Sequence, residues 1–155
     1  MSTSVNSTPQ NPAGSDFFER WLPLVIWLTV IHMFSSDSFS ANRTSSFFEP
    51  ILRFIWPGLS EDAFAFWHGV FRKSGHVIEY FALGALAFRA SRNHRPGVWR
   101  ALTTLAFVFA IALSDEFHQS MVPSRTASIF DVGYDCSGAV LALSVMTRRK
   151  YSGWV

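Results

Sequence analysis

The sequence predicts an all-α fold: a polytopic membrane bundle of about four transmembrane helices, with further helices lying on or re-entering the outer leaflet. Three observations carry this. Of 155 residues, 49% are apolar and only 15% are charged. The apolar residues gather into runs too long and too continuous for the alternation of barrel strands. The basic residues sit in short clusters between those runs, as membrane topology requires.

The elements follow in order. The first 15 residues (MSTSVNSTPQNPAGS) are rich in Ser, Asn, Thr and Pro and bury too little apolar surface to order themselves. They lack the basic start and cleavage site of a signal peptide, so the first apolar stretch is expected to stay as an anchor. Residues 16–150 are expected to form one membrane domain. Its first span is Phe17 to Phe34, with Pro23 tolerable near the helix start.

A long outer connection runs from Ser35 to Ser74. Within it Phe47, Phe48, Ile51, Leu52, Ile55 and Trp56 make an amphipathic run that Pro57 and Gly58 end. A second piece begins at Ser60, with Glu61 and Asp62 in its first turn, Arg72 and Lys73 in its last, and Phe64, Trp67 and Phe71 as its stripe. Both read as interfacial or re-entrant helices. His76 to Phe88 is a short span that can extend back through Val70; Val98 to Phe117 and Ile129 to Met146 complete the set. A crossing needs about 20 residues for about 30 Å of hydrocarbon, so two of the spans are marginal.

Charge orients the bundle. Eight basic and two acidic residues fall on the side of both termini, including Arg89, Arg92, Arg95 and Arg100, against five basic and nine acidic on the other. The excess of positive charge puts both termini in the cytoplasm. A pI of about 9.0 does not signal nucleic acid, because no Lys/Arg stripe runs along a helix face. Cys136 is the only cysteine, which excludes an intrachain disulfide framework and a Cys-rich metal knuckle; it reads as packing.

Ionisable groups beside or within membrane helices are costly, about 2.5–3.5 kcal/mol each at mid-bilayer, so their clusters mark sites. Lys73, His76 and Tyr80 share a helix face, with Glu79 alongside. Asp115, His118 and Gln119 share another, flanked by Glu116. After Pro123 turns the chain, Arg125 lies in a loop, and Asp131 and Asp135 stand one turn apart. The topology brings all three clusters to one membrane depth.

Plainer roles stand beside these. Ser128 and Asp131 fit a capping box, and Arg125 could simply neutralise neighbouring carboxylates. His32, His68 and His118 fit wet interfacial positions. Gly138 and Ala142 have the small-xxx-small spacing that lets another helix approach.

The pattern K-x-x-H-x-x-E-Y-x-x-L-G-x-L, carried by Lys73, His76, Glu79, Tyr80, Leu83, Gly84 and Leu86, is followed by a second one. That pattern, D-E-x-x-Q-x-x-x-P-x-R-x-x-S-x-x-D, is carried by Asp115, Glu116, Gln119, Pro123, Arg125, Ser128 and Asp131, with Gly138 beyond. Together they resemble the VanZ-like membrane protein family. One departure is Asp135, where the family usually carries Asn. The resemblance implies a four- to five-helix bundle in the bacterial cytoplasmic membrane, and a link to low-level resistance to the glycopeptide teicoplanin.

Three functions fit. In the first, the chain binds an anionic lipid or lipid-linked cell-wall intermediate at its outer face, with Lys73, His76 and Arg125 on phosphate or carboxylate and Asp115, Glu116 and Asp131 orienting them. The ligand-contacting set extends to Glu79, Tyr80, Gln119 and Asp135. In the second it is a membrane-embedded hydrolase or transferase, with His76 as a general base oriented by the adjacent Glu79 carboxylate and Glu116 as a further acid–base candidate. Asp115, Glu116 and His118 are then an alternative oxygen-rich metal set, although no cofactor or metal motif is present. In the third, the polar cluster only locks the bundle. A transporter is disfavoured by size and the lack of a repeat, unless the chain forms a homodimer.

Overall fold

The computed structural model describes residues 13–37, 40–92 and 97–151; most of the expected N-terminal tail lies outside them. The described chain is all helical. The elements are α1 (Ala13–Phe34), α2 (Ala41–Ile55), α3 (Glu61–Ala90), α4 (Gly97–Ser120) and α5 (Ile129–Tyr151).

Three helices are long and apolar enough to cross a membrane, over Phe17–Phe34, Gly97–Ser120 and Ile129–Arg148. Only 17%, 17% and 33% of these stretches are buried. Their outward faces carry Leu22, Val25, Ile26, Leu102, Phe109, Leu113, Val140, Leu141 and Val145. A belt of that size is unstable against water and suits hydrocarbon. The protein is a multi-pass membrane protein.

One sequence expectation needs correcting. The outer piece from Ser60 to Lys73 and the short span from His76 are not separate elements; they are one uninterrupted helix, α3, of 30 residues. The Ser74–Gly75 pair does not break it. Ser74 turns its hydroxyl onto the Val70 carbonyl at 2.9 Å, and one helical glycine costs only about 1 kcal/mol. Ser60 caps the start by accepting the Ala63 N–H at 3.3 Å, with Glu61 and Asp62 in the first turn. At 1.5 Å per residue α3 is about 45 Å long, so it outreaches a hydrocarbon layer of about 30 Å. Its first half stands outside the bundle and carries α2.

The core sits where α3, α5, α4 and α1 meet, around Tyr80, Leu83, Val108, Ala112, Ala139, Leu24 and Ile31. α3 packs most extensively on α5, and the two run the same way. Two glycines permit this. A Cβ on Gly84 would stand 2.9 Å from Ala139 Cα, and one on Gly138 would overlap the Val77 carbonyl and reach the Phe81 nitrogen at 2.9 Å. The helix backbones are therefore in direct contact, as the spacing of Gly138 and Ala142 predicts. α1 is keyed to α3 by Trp27, whose indole N–H donates to the Glu79 carbonyl at 2.9 Å.

Charge separates along the bundle. At one end Arg100 donates from Nε to the Phe88 carbonyl at 2.9 Å and stacks its guanidinium over the Phe88 ring, beside Arg92 and Arg20. The carboxylates Glu79, Asp115, Glu116, Asp131 and Asp135 lie toward the other.

Candidate functional site

The close crossing of α3 and α5 sets the central contact. His76 Nδ1 meets Asp135 Oδ1 at 2.9 Å; the Asp135 side chain is fully buried and that of His76 is 13% exposed. A buried carboxylate needs a donor, and here it selects the tautomer with a proton on Nδ1, leaving Nε2 for other work. The other Asp135 oxygen, and one oxygen each of Glu79, Glu116 and Gln119, are buried without a hydrogen bond, as is the Tyr80 hydroxyl.

α4 adds the second cluster. Glu116 Oε2 accepts the Ser128 backbone N–H at 2.6 Å, and Gln119 Nε2 donates to Asp115 Oδ2 at 2.9 Å. Ser128 does cap α5, its hydroxyl accepting the Phe130 N–H at 3.3 Å. The N–H of Ser128 itself, which a capping-box carboxylate at 131 would take, goes to Glu116 instead. His118 pairs with Ser35 at 3.1 Å and lies against His32, with ring centroids 4.7 Å apart.

The loop between α4 and α5 returns to α1. Arg125 donates from Nη2 to the Phe34 carbonyl at 2.6 Å, placing a cation at the C-terminal end of α1 where the helix dipole favours one. Burial pushes the Arg125 pKa down, with the nearby Arg72 adding to the shift and Asp115, Glu116 and Glu79 opposing it.

A cavity of about 570 Å³ opens beside Lys73 and Tyr134, and two others share Arg72 and His76 on α3. The larger of these two, about 460 Å³, is walled by Phe34, Phe47, Phe48 and Phe71, with Arg43, Arg72 and Arg125 around it and Gly75, His76 and Glu79 along the α3 side. Phe48 and Phe71 pack at 3.8 Å between ring centroids. The Thr44 hydroxyl contacts His68 Nε2 at 3.1 Å and so fastens α2 to α3. The smaller cavity, about 250 Å³, lies toward α5; Arg72 and His76 line it too, with Gly69, Lys73, Thr126, Ser128 and Asp131.

The VanZ/LLP1 family model matches residues 18–149. The chain belongs to the VanZ/LLP1 family. No curated protein and no solved structure matches it.

In this VanZ/LLP1 chain the residues singled out from sequence converge on one end of the bundle but separate into distinct positions. His76, Glu79 and Arg125 line the aromatic chamber; Lys73, His76 and Asp131 line the polar one. Lys73 also stands over the Tyr134 ring, 5.1 Å from its centroid. Tyr80, Glu116, Gln119 and Asp135 line neither chamber. They are packed between helices, because the face of α3, α4 or α5 that carries each one is turned to a neighbouring helix. Asp115 opens instead on a groove between α1 and α4, with His32 and His118.

Two pairings differ from expectation. The carboxylate that orients His76 is Asp135, across the helix crossing, while Glu79 on its own helix faces the chamber. Asp115, Glu116 and His118 do not form a metal set, since each turns to a different partner; among the described residues no three His, Cys, Asp or Glu side chains are grouped for a metal. His68 is not a wet residue either. It is buried against Phe64, with the rings stacked at 5.8 Å. The chamber's aromatic wall was absent from the sequence reading as a site. Its signal was the adjacent pair Phe47–Phe48 on an amphipathic helix, opposite Phe71.

Proposed function

We infer that this VanZ/LLP1 protein binds an anionic lipid or lipid-linked cell-wall intermediate at the outer face of the bacterial cytoplasmic membrane, with both termini in the cytoplasm. One observation carries the reading: the aromatic chamber has three guanidinium groups, Arg43, Arg72 and Arg125, around an apolar interior formed by four Phe side chains. Arg43 pairs with Asp37 at 3.2 Å and Glu79 lines the same cavity, which leaves the cations one in excess of the carboxylates in formal charge; an anion matches that excess through charge-assisted hydrogen bonds. An apolar chain fills the remainder. The arginine-rich opposite end supports the orientation. Handling of wall intermediates on that face would connect the protein to glycopeptide susceptibility.

The test is lipid retention by protein purified into zwitterionic nanodiscs doped with an anionic lipid. Retention should fall at least tenfold in a His76→Ala/Arg125→Ala double variant. Unchanged retention in that variant would reject the reading. A deletion strain challenged with teicoplanin, complemented by the same variant, tests the cellular consequence.

A second reading rests on the His76–Asp135 contact. A histidine oriented through Nδ1 by a buried carboxylate, with its ring at a cavity wall, is the arrangement of a general base. Under this reading the chain is a membrane-embedded acid–base hydrolase or transferase acting on the same ligand. Turnover of a lipid-linked phosphate by purified protein, lost in His76→Gln, tests it.

A further inference from the structure

Arg72 and His76 stand one helical turn apart on α3 and line both cavities. An anion held beside them therefore has aromatic surface on one side. On the other it has the Lys73 ammonium, the Asp131 carboxylate and the hydroxyls of Thr126 and Ser128. A phosphate monoester ends at the anion and has nothing to place among these groups. A phosphate diester continues past it.

We propose that the two cavities form one site for an amphiphilic phosphate diester. The apolar arm occupies the aromatic chamber, the phosphate lies at the Arg72–His76 wall, and a hydroxylated arm, a polyol or a sugar, enters the cavity of Lys73, Asp131 and Ser128. This rests on the anionic-lipid reading above and narrows it. Asp131 accepts from hydroxyls of that arm, Lys73 donates to them, and the side-chain hydroxyls do both.

The α3 wall offers a clean way to close each chamber separately. Gly75 lines the aromatic chamber and Gly69 the polar one, and a Cβ built on either meets nothing within 4 Å. Side chains placed there extend into the cavities rather than into the fold. Replacing a helical glycine also favours the helix.

The experiment uses full-length protein in phosphatidylcholine nanodiscs doped with phosphatidylglycerol, a diester with a hydroxylated arm, or with phosphatidic acid, a monoester. Retained lipid is counted by native mass spectrometry, and soluble glycerophosphoglycerol, a diester with hydroxylated arms and no apolar one, serves as competitor. Phosphatidylglycerol should be retained about tenfold over phosphatidic acid, the equivalent of one or two added hydrogen bonds. Gly69→Leu should bring that ratio near unity, and Gly75→Leu should abolish retention of both lipids, each with an unchanged or raised thermal midpoint. Glycerophosphoglycerol should compete poorly, since it lacks the apolar arm. Equal retention of the two lipids by the unaltered protein, or a ratio that survives Gly69→Leu, overturns the two-chamber site while leaving the anionic-lipid reading in place. Failure to retain either lipid overturns both. Displacement by glycerophosphoglycerol at the lipid's own concentration overturns the lipid as the source of the diester.

Discussion

Glu116 on α4 accepts the backbone N–H of Ser128, the residue that caps α5, at 2.6 Å. A carboxylate from one helix thus completes the N-terminus of the next, and it does so from a buried position beside the polar chamber. Glu116→Gln keeps an acceptor and should cost less than about 1 kcal/mol, whereas Glu116→Ala leaves the Ser128 N–H unpaired and should cost about 2 kcal/mol. Unfolding in detergent, followed by circular dichroism, measures the difference.

The His76–Asp135 contact makes a similar comparison possible. Asp135→Asn retains an acceptor for Nδ1 and should fold normally, with a loss of at most about 1.5 kcal/mol. Asp135→Ala strips a buried histidine of its partner and should cost about 3 kcal/mol. If both substitutions are equally mild, the contact does not hold the α3–α5 crossing.

Glycine positions on α3 and α5 should divide by their surroundings. Gly138→Ala drives a methyl into the α3 backbone and should destabilise by about 2–3 kcal/mol, with loss of the His76–Asp135 contact. Gly75→Ala faces open space and should stabilise by up to about 1 kcal/mol. Thermal midpoints of the two variants should move in opposite directions.

Docking of α2 should depend on pH through His68. Burial, aided by the neighbouring Arg72, pushes the His68 pKa below its ordinary value of 6.5. The unfolded or undocked segment therefore takes up a proton first as pH falls. The docked state is at full strength above about pH 6.5 and loses stability as pH drops through the lower, docked pKa. Trp67 and Trp56 fluorescence, or exchange of α2 amides, should report loosening on acidification that His68→Gln abolishes.

Arg125→Lys keeps the charge but not the planar fork that reaches the Phe34 carbonyl. It should weaken anionic-lipid retention several-fold and raise amide exchange at the last turn of α1. Arg125→Ala should do more of both.

Much of this architecture is legible in the sequence. The spans expected at Phe17–Phe34, Val98–Phe117 and Ile129–Met146 match α1, α4 and α5 to within a turn or so, because long apolar runs leave few alternatives. Convergence of Lys73–Tyr80, Asp115–Gln119 and Arg125–Asp135 at one end also follows from span count alone. Helical spacing reports which residues share a face, but not which helix that face meets. That is why Glu79, three residues from His76, seemed its natural partner while the true one came from α5. It is also why the burial of Tyr80 and Gln119 between helices cannot be seen in the spacing. The continuity of α3 was hidden by the change from a charged amphipathic stretch to an apolar one, which marks the edge of the bilayer rather than the end of a helix.

Because α3 runs unbroken from Glu61 to Ala90, the chamber wall made by Phe71, Arg72, Gly75, His76 and Glu79 is rigidly tied to the membrane bundle. The facing wall, Thr44, Phe47 and Phe48, rides on α2, which leads into α3 through residues 56–60, where Arg53 reaches across to Glu61 and to the Leu59 carbonyl, and which meets it again at the Thr44–His68 contact. The pocket is a vice with one fixed jaw. A widening between these two walls parts Phe48 from Phe71, and a tether between positions 48 and 71 would lock it shut without touching a single charged group.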